Sequence, residues 1–274
     1  MAEIFIMGAP GVHWAQASHS WLVSPEVKRL RWVPVSRKRV ALLNNSIFAI
    51  LGGSWYRPPQ FVQGWSSRPA LSRLQEPIQK IFNVRDGVVM ITDFRLALTL
   101  PFWQQFTAAT QAIVVISSPF DTVSRVARQR QIEVEQGWNL WLWYTAFALL
   151  NSRQMNRAII LLDENVEPPT LIDMAEWFFD QKEEEDAAPR LLGLAPPAHA
   201  FEATTRHLLR SDAPTRVKDL WLMLQKWRDL RWDVSYTPVI EDLALRAVTY
   251  PAPPTMSIAY HRARWAFHQW WSAR

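Results

Sequence analysis

Four short runs of consecutive apolar residues, at 4–7, 88–91, 112–116 and 158–162, punctuate the chain. Their length and β-branched content predict strands buried on both faces, because a half-exposed strand would alternate with polar residues. The stretches between them carry apolar residues at helical spacing, so the expected fold class is α/β, a parallel sheet flanked by helices. Residues 12–22 read as a helix directly after the first strand. Residues 133–153 are apolar on nearly every side, as in a helix enclosed by its neighbours. The run 138–150 within them is interrupted by Asn139, Tyr144 and Thr145 and is too short to span a bilayer. Thr170 and Asp173 signal a further helix start, with Leu171, Ala175, Phe178 and Phe179 along its inner side. Val217, Leu220, Trp221, Leu224 and Trp227 predict another amphipathic helix between Pro214 and Leu230.

Proline pairs at 58–59, 168–169 and 196–197 mark loops, and the acidic run 183–186 reads as a solvated turn. No internal repeat is visible. Pro251, Pro253 and Pro254 set off residues 251–274 as a tail to a domain of residues 1–250. In that tail Tyr260, Ala263, Phe267, Trp270 and Trp271 share one helical face, with Arg262, Arg264 and His268 elsewhere. Such a face is expected to dock on the domain or on a protein partner.

A length of 274 residues suits one sizeable α/β core. The net charge of +5 favours anionic partners, but 25 acidic residues are interspersed with the basic ones. With modest charge, aromatics at core spacing and no recognised motif, nucleic-acid binding is not expected. The chain has no cysteine, which excludes disulfides, thiolate metal sites and a thiol nucleophile. No metal site is expected either. Sixteen tryptophans mean that most must be core. The first residues lack the pattern of a secretory signal, so a cytoplasmic protein is expected, with no transmembrane segment.

The first strand runs into Gly8-Ala9-Pro10-Gly11-Val12-His13-Trp14. A strand, a glycine-containing turn and a helix together aim backbone N–H groups and the positive helix end at one point, which is an anion site in outline. Missing from the turn are a basic side chain and a hydroxyl. His13 is a weak candidate for acid/base or electrostatic work, against the commoner reading of a packed or capping group. Trp14 reads as core filling, and turned inward its ring would close the pocket. No zinc-protease, nucleophile-elbow or paired-carboxylate pattern stands out.

Three further stretches together resemble the bacterial sulfotransferase family whose better-known relatives transfer a sulfonate from 3′-phosphoadenosine-5′-phosphosulfate (PAPS) to carbohydrates. Leu43-Asn44, Leu51-Gly52-Gly53-Ser54-Trp55 and Pro58-Pro59 form the first. Asp93-Phe94-Arg95 through Leu100-Pro101-Phe102-Trp103 is the second; Pro119-Phe120-Asp121, then Gly137, Leu140, Trp141 and Tyr144, the third. These follow the family's order over residues 1–180. The resemblance implies a P-loop-like fold in which the first turn wraps the 5′-phosphosulfate and the third of the runs above ends at the 3′-phosphate.

The chain departs from that pattern where the chemistry would be done. The family's turn is Gly-x-Pro-Arg-Ser-Gly-Thr, and here Gly11, Val12, His13 and Trp14 take the last four positions. One charge-assisted hydrogen bond at about 1.5–3 kcal/mol and two neutral ones at about 1 kcal/mol each are lost, against about 8 kcal/mol for a micromolar ligand. Where the family has an Arg and, eight residues on, a Ser, this chain has Ser117 and Arg125. The degenerate donor site is therefore Gly8, Pro10, Gly11, His13, Trp14, Ser117 and Arg125. Thr92 replaces the family's Lys, leaving Asp93 and Arg95 to brace each other in the core. Lys28, Arg29, Arg31, Arg37, Lys38 and Arg39 form the strongest basic cluster, near the implied acceptor side.

The expectation is thus a pseudo-sulfotransferase without cofactor, a binding or regulatory component of bacterial polysaccharide biosynthesis. The alternative is an active, divergent sulfotransferase that holds PAPS through backbone N–H groups, with Ser117 and Arg125 on the 3′-phosphate.

Overall fold

A computed structural model describes residues 3–11, 17, 19–21, 23, 25, 31–59, 61, 64–83, 87–107, 111–130, 133–162, 191–194 and 201–229. Six strands form one sheet: β1 (Glu3–Gly8), β2 (Trp32–Pro34), β3 (Val88–Thr92), β4 (Gln111–Ser117), β5 (Asn156–Leu162) and β6 (Leu191–Leu194). Their spatial order is β2-β3-β1-β4-β5-β6, and every pairing is parallel. The α-helices bounded among the described residues are α1 (Arg37–Ile50), α2 (Gln75–Phe82), α3 (Leu96–Trp103), α4 (Pro119–Arg130), α5 (Val134–Asn151), α6 (Glu202–Arg210) and α7 (Thr215–Asp229). Within the stretch read as the first helix, Ala17 and residues 19–21 are helical, and Ser20 Oγ donates to the Ala17 carbonyl over 2.8 Å.

The four apolar runs are β1, β3, β4 and β5, the interior strands of the sheet, and β1, β3 and β4 are buried at every position. Alternate residues point to opposite faces. Phe5, Met7, Val89, Ile91, Val114 and Ile116 join the main core, while Ile4, Ile6, Met90, Ile113 and Val115 are equally buried on the other face. β2 and β6 were not foreseen. Three and four residues are too few to show a period, and both sit at sheet edges.

α5 lies in the main core with Trp141, Leu142 and Tyr144 fully buried, and Gly137 lets it approach the Val123 backbone of α4 closely. α7 packs Val217, Leu220, Trp221 and Leu224 inward, with the Trp221 ring 6.3 Å from that of Trp141. The buried helix α3 contains Pro101, which has no N–H to give the Ala97 carbonyl one turn back. Asn151 Nδ2, at the end of α5, donates to that carbonyl over 2.8 Å. The helix expected after Thr170, the acidic turn at 183–186 and the tail 251–274 lie outside the described residues. Among the described residues no helix is long and apolar enough to cross a membrane.

Candidate functional site

The chain leaves β1 for β2 on one side of the sheet, whereas it leaves β4 for β5 on the other. Connections therefore diverge between two neighbouring strands, which opens a crevice at their carboxyl ends where α/β proteins bind ligands. The turn after β1 and the start of α4 meet there.

Ala9, Pro10 and Gly11 are buried, and β4 ends beside them at Ser117. A Cβ on Gly11 would run into the Asp121 carboxylate, with Ser117 Oγ 2.8 Å from the same point. Position 11 must therefore be glycine while Asp121 and Ser117 stand as they do. Asp121 is in the first turn of α4 and Arg125 follows one turn later. Nη1 of Arg125 donates to the Gly11 carbonyl. Burial lowers the Arg125 pKa from its ordinary value, Asp121 opposes that shift, and the positive charges of Arg37 and Arg95 add to it. The Arg125 guanidinium thus lies within the fields of Arg37 and Arg95.

Asp93 and Arg95 follow β3 on the same edge. The Arg95 backbone N–H donates to Asp93 Oδ1 over 2.8 Å, and Nη1 meets Oδ2 at 2.7 Å. The Arg95 guanidinium lies 4.4 Å from the Phe94 ring centre. Among the described residues, Ser117 Oγ at the end of β4, Thr122 Oγ1 in α4, Thr92 Oγ1 at the end of β3 and Arg95 Nε are buried without a hydrogen-bond partner. An unsatisfied buried polar group is disfavoured by about 1–3 kcal/mol, and Trp32 Nε1, Asn44 Nδ2 and Thr145 Oγ1 elsewhere share that condition.

Of the residues singled out from the sequence, Gly8, Pro10, Gly11, Ser117 and Arg125 come together, and Asp93 and Arg95 lie on the same edge. His13, Trp14, Lys28 and Arg29 lie outside the described residues. β2 divides the basic cluster. Arg31 precedes that strand, at the edge of the sheet away from the crevice, whereas Arg37, Lys38 and Arg39 follow it and open α1 on the crevice side. α1 has no acidic residue in its first turn and no side-chain cap, so three cations sit against the positive end of its dipole. The contact of Asp121 with the turn was missed. Its spacing of four from Arg125 on one helix was the available signal.

A second cluster joins the three stretches that carried the family resemblance. Gly52 has φ +87°, and a Cβ on Gly53 would come within 2.6 Å of the Pro59 backbone nitrogen, so both glycines are demanded by the turn. From α5, Tyr144 Oη donates to the Trp55 carbonyl over 2.8 Å and Gln136 Nε2 to the Tyr56 carbonyl over 2.7 Å. Phe94 packs edge-on against Trp55 and Tyr144, with ring centres 5.5 and 5.4 Å away. Asn44 Oδ1 accepts from Thr99 Oγ1 and Trp103 Nε1, both at 2.8 Å in the buried interior. Burial raises the Tyr144 pKa well above its ordinary value of 10.

Comparison with protein-family models and with curated proteins finds no match to this chain. Among the described residues no group of three His, Asp or Glu side chains is arranged to hold a metal ion.

Proposed function

We propose that this chain is a sulfotransferase-like protein that has lost donor chemistry and works as a binding or regulatory component. The observation that carries this reading is the hydrogen bond from Arg125 to the Gly11 carbonyl. The cation available to a nucleotide phosphate is committed to the turn itself, and Arg95 is likewise committed to Asp93. Releasing a charge-assisted hydrogen bond costs about 1.5–3 kcal/mol before any new contact forms. Added to the missing side chains of the turn, that leaves little of the roughly 8 kcal/mol that micromolar binding needs. Of the basic residues that open α1, Arg39 Nη2 donates to the Pro77 carbonyl over 3.1 Å, while Lys38 and Arg37, whose charge acts on Arg125, suit an acidic partner. A bacterial polysaccharide setting follows from the family resemblance alone.

One observation favours the rival reading of an active, divergent sulfotransferase. Ser117 Oγ is fully buried beside the turn and unpartnered, as a group awaiting a phosphate oxygen would be. Calorimetric titration with adenosine-3′,5′-bisphosphate separates the two. No saturable heat up to millimolar nucleotide is expected. Micromolar binding that disappears in Arg125→Ala would establish the rival.

A further inference from the structure

The amphipathic helices packed on this domain share a chemistry that the aromatic and basic residues 255–274 do not. α7 buries Val217, Leu220, Trp221 and Leu224 and exposes Asp219 beside Lys218. α2 pairs Glu76 with Lys80 at 2.6 Å, and α6 carries Glu202 along with Arg206 and Arg210. Aliphatic inner sides and outer sides of mixed charge suit a helix between a protein core and water. From residue 243 onward, by contrast, the sequence holds no acidic residue, while Arg246, Arg262, Arg264 and Arg274 are cationic. Met256, Tyr260, Ala263, Phe267, Trp270 and Trp271 recur at helical spacing, so a helix would gather them on one face. His261, Arg262, Arg264 and His268 fall off that face, and Trp265 falls opposite it.

We propose that residues 255–274 bind the surface of an anionic lipid bilayer, as a helix lying in the headgroup plane with Phe267, Trp270 and Trp271 turned toward the acyl chains. Trp and Tyr collect at a membrane–water boundary because their rings are apolar while the N–H or O–H stays wet. A polar side rich in Arg and free of carboxylates is drawn to anionic headgroups, by about fivefold in affinity for each Arg at the surface. Arg262 and Arg264 stand in the middle of the stretch, so it lies on a bilayer and does not cross one. A protein groove is served as well by Leu, Ile or Val, of which the stretch has one, Ile258. Lipid binding of this kind does not depend on whether the β1/β4 crevice takes a nucleotide.

The full chain is mixed with vesicles of phosphatidylcholine, or of phosphatidylcholine and phosphatidylglycerol in equal parts, at about 0.1 M salt and sedimented. The protein is expected to sediment with the mixed vesicles and at least about tenfold more weakly with phosphatidylcholine alone. Arg262→Gln combined with Arg264→Gln should weaken binding to the mixed vesicles more than about tenfold, the product of two fivefold factors. Trp270→Ala combined with Trp271→Ala should abolish it, whereas Trp265→Ala should change it by less than about threefold. All three variants should melt at the temperature of the unaltered protein. Failure of the unaltered protein to sediment with the mixed vesicles would overturn the proposal, as would binding that either paired substitution leaves unchanged. A marked loss of melting temperature in the tryptophan pair, or of a dimer seen on sizing, would show that the aromatic face packs on the domain or on a second copy, and would overturn it too.

Discussion

The crevice between β1 and β4 and the brace around Trp55, Phe94 and Tyr144 lie at the same edge of one sheet, yet their polar groups are treated differently. In the brace, carbonyls that the tight turn leaves over are met by side chains from α5, and Asn44 serves two donors at once. At the crevice, hydroxyls of Ser117 and Thr122 are buried without partners, and the charges are paired locally. Paired acceptors of this kind help fix the geometry of the brace, where Asn44 Nδ2 nonetheless stays without a partner, whereas at the crevice it is hydroxyls that stand unpartnered.

That contrast can be broken from the brace side first. Asn44→Ala should destabilise most, by about 3 kcal/mol, because it strands the buried Trp103 N–H and opens a cavity. Chemical denaturation with an unchanged m-value would measure it. Gly53→Ala should follow at about 2 kcal/mol, since its Cβ has no room against the Pro59 backbone. Asn151→Ala should cost about 1–2 kcal/mol by uncovering the Ala97 carbonyl that Pro101 cannot serve.

Tyr144→Phe should cost about 1 kcal/mol at neutral pH, and its effect is pH dependent. The folded-state pKa of Tyr144 is raised, so the stabilisation from its neutral phenol is intact below the ordinary value of 10 and is lost as pH rises above it. The native protein should lose stability in that alkaline range and the Phe variant should lose less, as thermal melts at stepped pH would reveal. Ser117→Ala should have the smallest effect and the opposite sign. Removing an unpartnered buried hydroxyl is neutral or stabilises by up to about 1 kcal/mol. A destabilisation like that of Asn44→Ala would erase the distinction between the two regions.

Much of the frame was legible from residues alone. The interior strands declared themselves because burial on both faces removes every polar position, and α5 because its neighbours enclose it. Short edge strands left no such trace, as with Trp32–Pro34 and Leu191–Leu194. Local sequence also could not reveal that Asn151 completes a helix 54 residues earlier, or that Arg125 returns to a carbonyl 114 residues away. The turn at Gly11 shows the boundary well. Its missing cation and hydroxyl were readable, while the Asp121 carboxylate that stands close to Gly11 comes from another element.

Equilibrium dialysis with sulfur-labelled PAPS addresses the central claim most directly. Equal label on both sides of the membrane is expected even at millimolar protein, because Arg125 and Arg95 are already held by the turn and by Asp93. Retention at micromolar protein, competed by adenosine-3′,5′-bisphosphate, would contradict it.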